Sequence, residues 1–335
     1  PKQMHTAPPA EVPDLTPLPY LTADMPGIGG RIKLRPEDFV VTEMPLYEPA
    51  GEGTHTYFCI QKRGVDTRTA IRRIAQALDK SPRDIGYAGL KDRNAITRQT
   101  LSVEHVDPAQ IEQLELPDIA VLWVSRHGNK LRLGHLAGNR FQIRVRGVGV
   151  ESLTQAKATL ETLARRGLPN YFGLQRFGVR GNGHKLGLAL IRRDNREFIA
   201  EYLGRPVEGV DFGPMLKARQ AYEAGEFEQA RGLWPPYHRD ERMALQALAR
   251  GGNAKRARLA VDKHLRRFFV SALQSFLFNE VLIERLATLD QLIEGDLAYL
   301  HDRGAVFSVE AAAAEQPPAD AFEISPSGPL FGYRM

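Results

Sequence analysis

The sequence predicts an α+β protein, a strand-rich first part followed by a mostly helical second part. Three observations predict it. β-Branched and aromatic runs separated by Pro/Gly turns occupy the chain up to residue 148, and strict period-two alternation marks 140–148. Apolar residues then recur at three and four positions from about Glu151 to Leu289.

Taken in order, residues 1–30 are Pro-rich and end in MPGIGGRIK, the pattern of an extended arm leading into a first strand. DFVVTEMPL (38–46) and THTYFCIQKR (54–63) read as strands joined across the turn signal YEPAGEG. Asp66 then caps a helix over TRTAIRRIAQALDK (67–80), in which Ile71, Ile74, Ala75 and Leu78 fall at helical spacing. Pro82 ends that helix by disfavouring helical geometry at Ser81. GYAGLKDRNAITRQT (86–100) follows as a loop.

IAVLWVSRH (119–127) and RFQIRVRGV (140–148) read as further strands. In the second, Phe141, Ile143 and Val145 form a packed face, while Gln142, Arg144 and Arg146 form a polar, cationic one. SLTQAKATLETLARRG is helical, and the strongest helix runs from Arg256 to Leu289. Its stripe of Val261, Leu265, Phe268, Phe269, Ala272, Leu273, Phe276, Leu277 and Val281 predicts the core of a second domain. SVEAAAAEQPPADAF (308–322) reads as a surface connection. We therefore expect an arm at 1–30, a first domain at 31–165 and a second at 166–335.

Composition narrows the function. The chain has 335 residues, 43% hydrophobic and 25% charged, as in a soluble globular protein. No apolar run approaches the ~20 residues that span a bilayer, and the N-terminus lacks a signal-peptide pattern, so a cytoplasmic location is expected. The single cysteine, Cys59, excludes an internal disulfide and a cysteine-based zinc cluster; within HTYFCIQ it reads as a small apolar strand residue. The 45 Lys and Arg outnumber the 40 Asp and Glu, for a net charge of +5. These cations cluster at Lys62–Arg73, at Arg126–Arg146 and at Lys255–Arg267, which suits a polyanion unless each group is only a solvated face. The nine histidines are scattered with no zinc signature, GVRGNGHKLG (178–187) lacks dinucleotide-fingerprint spacing, and neither a Walker loop nor a Gly-x-Ser-x-Gly elbow occurs.

The remaining candidate is the 86–100 segment, where Asp92 stands amid Lys91, Arg93, Arg98, Thr97 and Gln99. Flanking cations favour its ionised form, which can act as nucleophile or base but not as acid. Retaining glycoside hydrolysis pairs its nucleophile with a second, protonated carboxyl group, and the nearest other acid is Asp84. A lone carboxylate suffices for a reaction that breaks a glycosidic bond and remakes it to the same base. The alternative is structural: Asp92 caps a turn or pairs with Arg93.

GYAGLKDRNAITRQ resembles the signature of the TruD family of tRNA pseudouridine synthases, with its Gly-x-Lys-Asp core followed by Ala, Thr and Gln. RPEDFVVTE, GNRFQI, NYFGLQRFG, SALQSFLFNEVL and SPSGPLFG each resemble a family segment, in the family's order, from about residue 27 onward. The resemblance implies a catalytic domain with a mixed, largely antiparallel sheet, a mostly helical inserted domain, and Asp92 in a basic cleft between them. It implies isomerisation of a tRNA uridine, at position 13, with Asp92 as catalytic nucleophile attacking C1′ of the ribose or C6 of uracil. Phe39, Asn139 and Phe141 match substrate-binding residues, and an extruded uridine does need a stacking face and a partner for its Watson–Crick edge. Lys91, Arg93, Thr97 and Gln99 belong to the signature in supporting roles. No cofactor and no metal are implied; the expected partner is tRNA, with no membrane, and the protein is expected to be a monomer.

Two rival functions stay open: a non-catalytic RNA-binding protein, and a nucleoside or glycosidic hydrolase pairing Asp92 with a distant acid such as Glu43. Because the family's chains continue well past SPSGPLFG, a fragment lacking the end of the catalytic domain is also expected.

Overall fold

The computed structural model describes Leu15 and residues 17–332, and it divides into two compact units. One is Pro26–Lys157; the other is Ala158 onward with the described residues before Pro26. Of the arm expected over 1–30, residues 1–14 and 16 lie outside the described residues.

The Pro26–Lys157 unit is built on a six-stranded sheet. Its elements are β1 (Phe39–Pro45), β2 (His55–Arg63), α1 (Thr67–Ala77), β3 (Gly86–Tyr87), β4 (Ile96–Glu104), α2 (Pro108–Glu112), β5 (Ile119–His127) and β6 (Leu136–Ile143). The strand order is β5-β2-β4-β1-β6, with β3 pairing the far end of β4. Only β1 and β4 run parallel, so the sheet is mixed and largely antiparallel. Asp66 does cap α1: its carboxylate accepts the Thr69 N–H, satisfying one of the orphan donors of the first turn. The apolar stripe of α1 buries Ala70, Ile71, Ile74 and Ala75 against Phe58 and Ile60 of β2 and Leu101 and Val103 of β4. Full burial of each large side chain contributes about 1.5–3 kcal/mol. Cys59 is buried in β2, and burial pushes its thiol up to about 11.

Two expectations for this unit are corrected. The 86–100 segment is not one loop, because Ile96–Glu104 forms the central strand β4. Its alternation is real, but the inward positions begin with Thr97 and Gln99 before Leu101 and Val103, so the apolar pattern is masked where the strand starts. The strand expected at 140–148 lies instead at Leu136–Ile143, and its supposed packed face is open: Phe141 is 53% and Ile143 49% exposed. β6 is an edge strand, and beyond it the chain leaves the ladder, with Arg146 Nε reaching back to the buried Asp38 carboxylate at 2.8 Å.

The division between units falls within α3 (Ser152–Arg166). The second unit continues with α4 (Gly183–Ile191), α5 (Asn195–Leu203), α6 (Gly213–Glu223), α7 (Phe227–Leu233), α8 (Arg239–Ala249), α9 (Ala254–Ala260) and α10 (Lys263–Arg285). Phe198, Leu203, Leu245, Ala257 and Phe269 anchor their shared core, and Leu15 packs on Phe177, Ala272 and Phe276. The helix expected from Arg256 to Leu289 is two. Val261 turns extended, and Asp262 accepts the N–H groups of His264 and Leu265, capping α10 afresh. The expected stripe still packs, since Phe269, Ala272, Leu273 and Phe276 are buried.

A three-stranded antiparallel sheet follows, ordered β8-β7-β9, from β7 (Leu297–Leu300), β8 (Val306–Ser308) and β9 (Ile324–Ser327). The surface connection expected over 308–322 is instead helix α11 (Ala312–Asp320), whose Ala319 packs with Leu292, Ala298, Val309 and Ile324. Pro317 and Pro318 lie inside the helix, where each withdraws one backbone donor.

Candidate active site

The sheet register gathers the signature residues. Residues paired across neighbouring strands point to the same side. Phe141 pairs with Val41, Val41 with Thr97, and Thr97 with Lys62, so these form one row across β6, β1, β4 and β2. Asn139 pairs with Glu43 and Gln99 with Ile60, one step further along the same face. Asp92 lies in the turn just before β4, beside this row.

The Asp92 carboxylate is nearly half exposed and touches Lys33, with Nζ 3.1 Å from Oδ1. The same ammonium sits 3.8 Å from the centre of the Phe39 ring, a cation–π contact. Phe39 in turn meets Phe141 at 5.8 Å between ring centres, tilted by 57°. Phe39 is buried, whereas Phe141 beside it is exposed, as is Asn139 further along β6. A carboxylate, a cation, an exposed aromatic face and an exposed amide thus share one side of the sheet. Such a set offers an anionic nucleophile next to a stacking surface and a two-way hydrogen-bonding group.

Other groups hold the turn. Thr67, the first residue of α1, accepts the Lys91 N–H at 2.9 Å and donates its hydroxyl to Gln99 Oε1, also at 2.9 Å. Gln99 Nε2 donates to Gly89 O at 3.3 Å, closing the network from β4 back to the turn. Lys62 Nζ donates to the Val65 and Asp92 carbonyls at 2.6 and 3.0 Å. Arg93 is exposed. The Thr97 hydroxyl is buried without a hydrogen-bond partner among the described residues.

The signature cation Lys91 does not face Asp92. Its ammonium is buried against Glu43, at 2.6 Å from Oε2, and Glu43 Oε1 accepts the Thr100 N–H at 3.1 Å. The cation at Asp92 is Lys33, which sequence reasoning did not single out because it lies far back in the chain. Lys62 carried a readable signal, since it continues the inward alternation of Phe58 and Ile60. Members of the basic clusters are engaged within the fold: Lys62 is buried, Arg146 binds the buried Asp38, and the exposed Arg63 pairs with Glu37 on the surface. Arg258, Lys263, Arg266 and Arg267 line an open groove of the helical unit with Ser271 and Gln274. No described helix is long and apolar enough to cross a membrane.

Residues 17–335 match the family model described as tRNA pseudouridine synthase D (TruD). The chain is 49% identical over 318 residues to tRNA pseudouridine synthase D of Geotalea daltonii, covering 95% of this chain and 80% of that relative. The Geobacter metallireducens protein of the same name is 50% identical, with 94% and 78% covered. A crystal structure of a Methanosarcina mazei protein assigned to TruD superposes with a TM-score of 0.80 at 29% identity, covering 91% of this chain and 74% of that one. The chain belongs to the TruD family of tRNA pseudouridine synthases.

Proposed function

We propose that this protein converts a uridine of tRNA to pseudouridine, with Asp92 as the nucleophile and position 13 as the target. It acts as a cytoplasmic monomer and needs no cofactor. The observation that carries this reading is the Asp92 carboxylate, held open to solvent beside Lys33 and next to the Phe39–Phe141 aromatic pair. Attack at C1′ or C6 lets the C1′–N1 bond break while the base stays in the site. The base turns, C5 bonds to C1′, the bond to Asp92 breaks and returns its carboxylate, the C5 proton is lost and N1 gains one, so the product is an isomer of the substrate.

The assignments follow from chemistry. Lys33 pairs with the carboxylate in its resting position and balances charge as the base detaches. Phe141 provides a stacking face, Phe39 backs it, and Asn139 hydrogen-bonds the uracil edge. Thr67 and Gln99 fix the turn, and the Arg258–Arg267 groove takes phosphates. The domain assignment of 31–165 as catalytic and 166–335 as inserted belongs to the same proposal.

The test is position-resolved mapping of pseudouridine in a defined tRNA transcript, with Asp92→Ala as control. Pseudouridine at one position from the unaltered protein, absent with Asp92→Ala while tRNA binding persists, is the expected outcome. Salt-dependent binding without product would assign a non-catalytic RNA-binding role, and release of free uracil would assign hydrolysis.

A further inference from the structure

Lys62 is 1% exposed, among the most completely buried side chains of the Pro26–Lys157 unit. A buried ammonium is costly unless its surroundings satisfy it, and no carboxylate forms an ion pair with this one among the described residues. Its two acceptors are main-chain carbonyls: Val65 O, just before α1, and Asp92 O itself. Burial pulls its ammonium down to about 8 against the attraction of Asp66 and Asp92, with Lys91 adding repulsion. The group therefore ties the peptide of the proposed nucleophile to the α1 entry from beneath, on a strand that cannot move without breaking the sheet.

We propose that Lys62 is a positioning residue for the reaction, a buried ammonium that clamps the Asp92 main chain so that the carboxylate points at the substrate. The inference rests on the reading of Asp92 as the nucleophile. The Thr67–Gln99 network holds the Lys91 side of the turn, but among the described residues only Lys62 donates to the Asp92 carbonyl. Neutralising Lys62 leaves an amine that still has two N–H groups but loses the charge that strengthens both bonds. Losing the side chain's donors frees the peptide to rotate, and a displacement of about 1 Å at a reacting group costs on the order of 10²-fold in rate.

The experiment compares the unaltered chain, Lys62→Met and Asp92→Ala under single-turnover conditions with a defined tRNA transcript, from pH 6.5 to 9.5. Circular dichroism and tRNA binding are measured alongside. Lys62→Met is expected to lower the rate by about 100-fold with tRNA affinity within about threefold. The unaltered chain should lose rate as pH rises past about 8, where burial has brought the Lys62 ammonium, and the variant should not show that limb. A Lys62→Met rate within about threefold of the unaltered one overturns the proposal. If Lys62→Met does not fold, Lys62→Gln, whose shorter side chain cannot span both carbonyls, takes its place, and a rate within about threefold of the unaltered one overturns the proposal. Activity that survives Asp92→Ala sinks the nucleophile assignment instead, so the two failures are distinct.

Discussion

The buried Glu43–Lys91 pair offers a quantitative test of how the Asp92 turn is supported. Both side chains are 3% exposed, their charged atoms are 2.6 Å apart, and Glu43 also accepts the Thr100 N–H. Glu43→Gln keeps an acceptor for Thr100 but leaves the Lys91 ammonium facing a neutral amide out of water. Removing one member of a buried pair costs about 3–5 kcal/mol, most of it the uncompensated charge. At about 2–4 °C per kcal/mol for a domain of this order, the thermal midpoint should fall by about 6–20 °C. Adding Lys91→Met removes the stranded charge and should recover most of the loss, because a well-packed apolar pair is a fair replacement for a buried ion pair. Thermal unfolding by circular dichroism of both single variants and the double variant completes the cycle. A Glu43→Gln loss under about 1 kcal/mol, or a double variant no more stable than Glu43→Gln, refutes the assignment of the pair as a buried, water-excluded contact.

Gly187→Ala should destabilise the helical unit by about 1–3 kcal/mol, because a Cβ there would overlap the Phe269 carbonyl where α4 packs on α10; urea unfolding followed by tryptophan fluorescence checks it. Asp38 is fully buried, and its hydrogen bonds from Arg146 hold its carboxyl below the usual carboxylate range. A carboxyl with a lowered folded-state pKa contributes stability that is complete above the unfolded value of ~3.9 and is lost as pH falls below it. Asp38→Asn should therefore be less stable at pH 7 and show a flatter decline in acid. Urea midpoints of the two proteins that fall in parallel below pH 4 would count against that linkage.

Local physics made much of this chain legible. Strands at 39–45, 55–63 and 119–127, the Asp66 cap and the apolar face of α10 depend on alternation, capping chemistry and helical spacing, all of which are properties of neighbouring residues. The break at Asp262 shows the limit even there. A continuous apolar period runs straight through it, and only the capping geometry reveals that two helices share the stripe.

What tertiary structure decided is which distant groups meet at Asp92. The sequence by itself marked Asp92, Phe39, Asn139 and Phe141 through the family signature, and it marked Thr97 and Gln99 as parts of one polar segment. It did not show that this segment enters the central strand, nor that Lys91 turns inward to Glu43 while Lys33 approaches Asp92. Those outcomes depend on sheet register, since β1 lies parallel to β4 and antiparallel to β6, bringing residues far apart in the chain onto one row. Register is a cooperative property of all the paired strands, and a one-residue slip of a strand would send its members of the row, such as Phe141 of β6 or Thr97 of β4, to the opposite face.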